Sequence, residues 1–146
     1  MQLSLIGHFV ELCWEAVPAH FPQVRLDAFV IMPNHFHGNL HLGELNLDSK
    51  ATHGSPLREG EHLGAIIGQF KSSVTRRLNK LPEENKVQFE KIWQRNYYEK
   101  IIRDESHLIT IRDYIINNPT NWANDKLHPN APKNQFNKDW FQGSDS

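Results

Sequence analysis

The stretch Val30-Ile31-Met32-Pro33-Asn34-His35-Phe36-His37 decides how this chain is read. Apolar residues run up to a Pro-Asn corner, and a second segment leaves it as His35-Phe36-His37-Gly38-Asn39-Leu40-His41-Leu42. Side chains alternate faces along a strand, so His35, His37, Asn39 and His41 share one face, while Phe36, Leu40 and Leu42 take the other, against a core. Two residues along a strand span roughly 6.8 Å, close enough for both imidazoles to lean onto one ion. The spacing alone supports two readings: a metal site on the open face of a sheet, or histidines on the polar face of a half-exposed strand.

Working outward, Arg25 to Met32 is rich in Phe, Val and Ile and reads as a strand, with Pro33-Asn34 as the turn and His35 to Leu42 as its hairpin partner. Before it, Leu5, Ile6, Phe9, Val10, Cys13, Trp14 and Val17 recur at helical spacing, which predicts a helix from Ser4 as N-cap to Val17, stopped by Pro18. Residues Gly43 to Gly60 lack periodicity and read as a surface loop carrying His53. A second helix is expected over Glu61 to Leu78, with Leu63, Ile66, Ile67, Phe70 and Val74 inward and Pro82 beyond its end. In Trp93-Gln94-Arg95-Asn96-Tyr97-Tyr98-Glu99-Lys100-Ile101-Ile102-Arg103 the second half reads as a strand. Asp104 is placed to cap a last helix that stops before Pro119, with Leu108, Ile111, Ile115 and Ile116 as its apolar stripe. The tail from Thr120 onward reads as irregular, with Trp122, Phe136, Trp140 and Phe141 as candidate anchors.

Bulk properties narrow the function classes. A chain of 146 residues, 38% hydrophobic and 23% charged, is sized for one domain with its own core. No apolar run approaches the roughly 20 residues that span a bilayer, and the N-terminus lacks signal-peptide features. Cys13 is the single cysteine, which excludes an internal disulfide and favours a reducing cytoplasm. The net charge of −1 excludes a wholly basic nucleic-acid binder. Basic residues nonetheless segregate: Lys71, Arg76, Arg77 and Lys80 form one group, and Lys91, Arg95, Lys100 and Arg103 another. Such a group is either a phosphate-binding surface or a solvated helix face.

Tyr114 and Asn118 are four residues apart, hence stacked on one face of the last helix. A tyrosine and a carboxamide near two histidines fit phosphodiester cleavage by a tyrosine nucleophile. A divalent ion held by His35, His37 and the Asn118 oxygen would activate the phosphate for a phenol of pKa near 10. The other reading is a tyrosine packed at a sheet edge with its hydroxyl in water. No Asp or Glu lies near the histidine pair in the sequence, which argues against a metal hydrolase of small phosphate esters.

Leu26-Asp27-Ala28-Phe29-Val30-Ile31-Met32-Pro33-Asn34-His35-Phe36-His37-Gly38 resembles the histidine-hydrophobe-histidine (HUH) segment of single-tyrosine transposases. Trp93 to Glu105, Tyr114-Ile115-Ile116-Asn117-Asn118-Pro119 and the Gly68-Gln69-Phe70-Lys71-Ser72 helix resemble the branch associated with repetitive extragenic palindromes. The resemblance runs in register from about residue 3 to 122. It implies an α+β, ferredoxin-like fold, with an antiparallel sheet carrying helices on one face and the active site on the other. It implies a catalytic domain over 1–122 and an irregular tail over 123–146. By position, His35 and His37 match the metal pair and Tyr114 the nucleophile, while Asn118 stands where many relatives carry a glutamine ligand. Tyr97 and Tyr98 are rival nucleophiles by type, placed by the family pattern in a structural or DNA-contacting strand.

The implied activity is that of a DNA transposase, a single-stranded DNA endonuclease that cleaves and rejoins DNA beside hairpins with Mg²⁺ or Mn²⁺, as a monomer or homodimer. Lys71, Arg76, Arg77, Arg95, Lys100 and Arg103 are the expected DNA contacts. Relatives usually begin with another strand before the segment matching Met1-Gln2-Leu3-Ser4, so the expectation here is an N-terminally truncated fold, from a shortened gene product or from a reading that begins at a late start. Its alternative function is a catalytically inactive relative that binds hairpin DNA.

Overall fold

The computed structural model describes residues 2–43, 59–86, 92–125 and 127–130. Among these, the chain is α+β, with a two-stranded antiparallel sheet and helices before and after it. Helix α1 spans Leu5–Glu15, and Ser4 caps it as its side chain accepts from the Gly7 N–H at 3.2 Å. The chain turns at Ala16 and resumes as the short α2, Val17–His20. Pro18 therefore starts a helix rather than stopping one, because a proline in the first turn surrenders an N–H that has no intrahelical partner there.

Strand β1 (Val24–Ile31) and strand β2 (Phe36–Leu42) form the hairpin expected around Pro33-Asn34. The Met32 N–H donates to the His35 carbonyl at 2.9 Å and closes the turn. Helix α3 runs Glu59–Asn79, starting before the expected Glu61. Pro82 lies beyond its end and caps a 3₁₀ turn at Glu83–Asn85. Helix α4, Glu105–Asn117, is capped by Asp104, whose carboxylate accepts from the His107 N–H at 2.7 Å.

Two expectations are corrected. Among the described residues the segment 96–103 forms no strand, and Tyr98 and Ile101 are 71% and 74% exposed. Apolar β-formers alone do not make a strand without a neighbour for the backbone N–H and C=O groups. Ile116 is 67% exposed and off the buried stripe, because Ile115 already faces inward and adjacent helix positions point about 100° apart. Of the tail, Trp122–Asn124 is a 3₁₀ turn and Trp122 is half-buried. The loop carrying His53, and Phe136, Trp140 and Phe141, lie outside the described residues.

The chain divides into two compact units. The first comprises residues 1–27 and 40–95, and its core joins α1 to α3. Val10, Cys13, Trp14 and Val17 are buried there with Ile66, Phe70 and Val74, all on the helical stripes read from the sequence, and Leu78 at the end of α3 joins them. The Trp14 and Phe70 rings meet edge-on with centroids 5.2 Å apart, a geometry worth about 0.5–1.5 kcal/mol beyond burial. The second unit comprises residues 28–39 and 96–146, with Met32, Ile115 and Asn118 buried among its described residues. Among the described residues no helix is long and apolar enough to cross a membrane.

Candidate functional site

The second unit gathers the turn end of the hairpin, α4 and the turns that follow it. Strand alternation sets His37 two residues beyond His35, and their rings meet edge-on at 4.8 Å between centroids. The Tyr114 ring from α4 meets the His37 ring at 5.5 Å. One helical turn later Asn118, 4% exposed, is hydrogen-bonded through its side chain to Tyr114. His35, His37, Tyr114 and Asn118 are thus brought together.

His35 Nδ1 lies 2.8 Å from Asn34 Oδ1. The Asn34 amide nitrogen donates to the Leu127 carbonyl at 2.7 Å, so its oxygen is the atom facing the imidazole. An amide oxygen only accepts, which makes Nδ1 the protonated nitrogen and leaves a bare lone pair on Nε2. His35 Nε2, His37 Nε2 and Asn118 Oδ1 are all buried, and none has a hydrogen-bond partner. A buried polar atom left unpaired costs about 1–3 kcal/mol, so these three atoms are open to a bound group.

Electrostatics keep these atoms available. Burial lowers the His35 pKa, with Asp125 pulling the other way. Burial first and then the neighbouring His35 lower His37 to about 4, against a smaller upward pull from Asp125. Both rings are neutral at pH 7, the form that ligates metals. Burial raises the Tyr114 pKa, the Asn118 hydrogen bond opposes it, and Asp125 adds to the rise.

Asp125 is the site residue that sequence reasoning missed. Its Oδ2 lies 3.7 Å from His35 Nε2. The absence of a nearby acid in the sequence did not mean absence in space. The local clue was Trp122, a candidate anchor whose ring lies 5.8 Å from that of His35 and 4.8 Å from that of His128. Asn39, on the histidine face of the strand, presents a buried amide nitrogen that is also without a partner. His41 has a different task, its Nε2 standing 3.0 Å from Asp27 Oδ2 in the first unit. Among the described residues no group of three or more His, Cys, Asp or Glu is drawn together to hold a metal ion. The donors on offer are two imidazole nitrogens and an amide oxygen.

The basic residues divide between the units: Lys71, Arg76, Arg77 and Arg95 belong to the first, Lys100 and Arg103 to the second. Lys71 is engaged, donating to the Gln94 carbonyl at 3.2 Å and lying 5.8 Å from the Trp93 ring centroid, and burial lowers its pKa. Arg76 and Arg77 are exposed and line a pocket of about 330 Å³ with Lys80, His20, Ser73, Ala16 and Cys13, none of them acidic. Arg95, Lys100 and Arg103 are exposed, as are Tyr97 and Tyr98.

A protein of Haemophilus influenzae, described as an uncharacterized protein, is 44% identical over 135 residues, covering 88% of this chain and 72% of the relative. The chain belongs to that protein's family. No family model matches the sequence, and no solved structure matches it.

Proposed function

We propose that this chain is a DNA transposase of the single-tyrosine HUH class, a metal-assisted single-stranded DNA endonuclease that cuts and rejoins DNA beside hairpins. On this reading the α+β architecture is ferredoxin-like and the compartment a reducing cytoplasm. The observation that carries the reading is the set of three buried polar atoms without hydrogen-bond partners, His35 Nε2, His37 Nε2 and Asn118 Oδ1, in one unit with the Tyr114 ring.

Two nitrogens and one oxygen fit a divalent ion such as Mn²⁺ or Mg²⁺, which His35, His37 and Asn118 would hold. When bound, such an ion supplies Lewis-acid polarisation of a phosphate oxygen. Tyr114 acts as the nucleophile: its Oη forms a bond to phosphorus while the bond from phosphorus to the 3′-oxygen breaks, leaving a 5′-phosphotyrosine. The phenol proton passes to solvent, and the departing 3′-oxygen takes one from solvent. Because burial raises the phenol pKa, deprotonation accompanies attack rather than preceding it. The Asn118 amide N–H, hydrogen-bonded to the phenol, stabilises the charge developing on that oxygen. Attack by a second 3′-hydroxyl reverses the step and joins strands. The basic side chains, led by Arg76 and Arg77, hold backbone phosphates.

The test is incubation with labelled single-stranded hairpin DNA and Mn²⁺, read on a denaturing gel. A covalent adduct is expected from the native chain and none from Tyr114→Phe, with DNA binding nearly unchanged. Adducts persisting in Tyr114→Phe would move the nucleophile elsewhere, and binding without any adduct would leave a DNA-binding relative that does not cut.

A further inference from the structure

One oxygen of Asp125 serves its own turn and the other faces His35. The Asp125 side chain is 8% exposed. Oδ1 accepts the Leu127 N–H at 2.7 Å and completes a local turn. Oδ2 faces His35 Nε2 at 3.7 Å, beyond hydrogen-bond range. Since Asn34 fixes the His35 proton on Nδ1, Nε2 has none to donate. Two lone-pair atoms therefore face each other across a gap that a water or a cation would fill. The separation suits two ligands of one divalent cation, which His35 and Asp125 would hold together.

We propose that Asp125 is a further ligand of the cation held by His35, His37 and Asn118, and the one that supplies it with negative charge. This rests on reading the site as a metal site. Two neutral imidazoles and a neutral amide leave a dication uncompensated in a half-buried place, where charge is costly. A carboxylate offsets that cost and adds a hard oxygen, shifting preference toward Mg²⁺ and Mn²⁺ over softer ions. Asn34 serves both halves: its oxygen orients His35, and its N–H holds the Leu127 carbonyl two residues from Asp125.

The experiment is titration of the metal-free full chain with Mn²⁺ by calorimetry, without DNA. Asp125→Asn keeps the shape and the oxygen that accepts from Leu127, so it removes charge with least disturbance. It is expected to weaken Mn²⁺ binding by about 30-fold or more, since even loss of an outer-shell partner costs about 10–100-fold. Asp113→Asn, on the exposed side of α4, leaves affinity unchanged. Binding by Asp125→Asn within about threefold of the native chain overturns the inference while leaving the three-donor site standing. A native chain that binds no Mn²⁺ overturns the metal reading itself, and this inference with it. Should Asp125→Asn fail to fold, native protein labelled with ¹³C at the aspartate carboxyl decides. Electron–nuclear double resonance on bound Mn²⁺ shows a strong ¹³C coupling if a carboxylate coordinates, and its absence refutes the proposal.

Discussion

Acid should destabilise this protein through His37 in a way that one substitution removes. The native ring holds its proton only near pH 4, because burial and the adjacent His35 oppose the charge, whereas an unfolded histidine titrates near 6.5. The unfolded chain therefore binds a proton that the folded chain refuses. Stability from this group is fully present above about pH 6.5 and drains away as the pH falls toward 4. The whole window corresponds to about 3 kcal/mol, and partial solvent contact trims the loss at about pH 5 to about 1.5 kcal/mol. Urea unfolding followed by backbone circular dichroism, in chelator, at about pH 7.5 and about pH 5 measures it. The native chain should lose about 1.5 kcal/mol more than His37→Gln over that interval. Parallel losses in the two proteins would refute the claim that His37 is held neutral, and with it the argument that its lone pair stays available.

Three further outcomes are expected. Ile66→Ala empties a fully buried position between α1 and α3 and should cost about 2–5 kcal/mol in urea unfolding, a smaller loss meaning that the helices close over the void. Asp104→Ala removes the α4 cap and should cost about 1 kcal/mol, read as a lower melting temperature. If Arg76 and Arg77 contact DNA phosphates, replacing each with Gln lowers the slope of log binding constant against log salt by about 1; an unchanged slope removes them from the interface.

What was legible in the sequence was local. Ser4 and Asp104 cap helices because a short oxygen-bearing side chain before an apolar periodic run has one favourable task. The Pro33-Asn34 corner and the alternation after it placed His35 and His37, and helical spacing stacked Tyr114 on Asn118. Long-range placement was not legible. Asp125 reaches His35 because the chain folds back after α4, which no periodicity encodes. Residues 96–103 have β-forming side chains and form no strand among the described residues, since a strand depends on tertiary placement that spacing cannot supply. Pro18 misled because the same ring ends one helix or opens the next according to where the turn falls, here at Ala16.

The hairpin contributes residues to both units, with His37 near its turn and His41 toward its open end on one strand. A strand has only two faces, so a deletion of one residue between Phe36 and His41 would be no small local lesion. It would invert one end of the strand relative to the other, and either the imidazole beside Tyr114 or the one paired with Asp27 would be turned away. Tolerance to insertions and deletions should therefore be lowest along these few positions, and a library of single-residue indels would map it as a sharp trough.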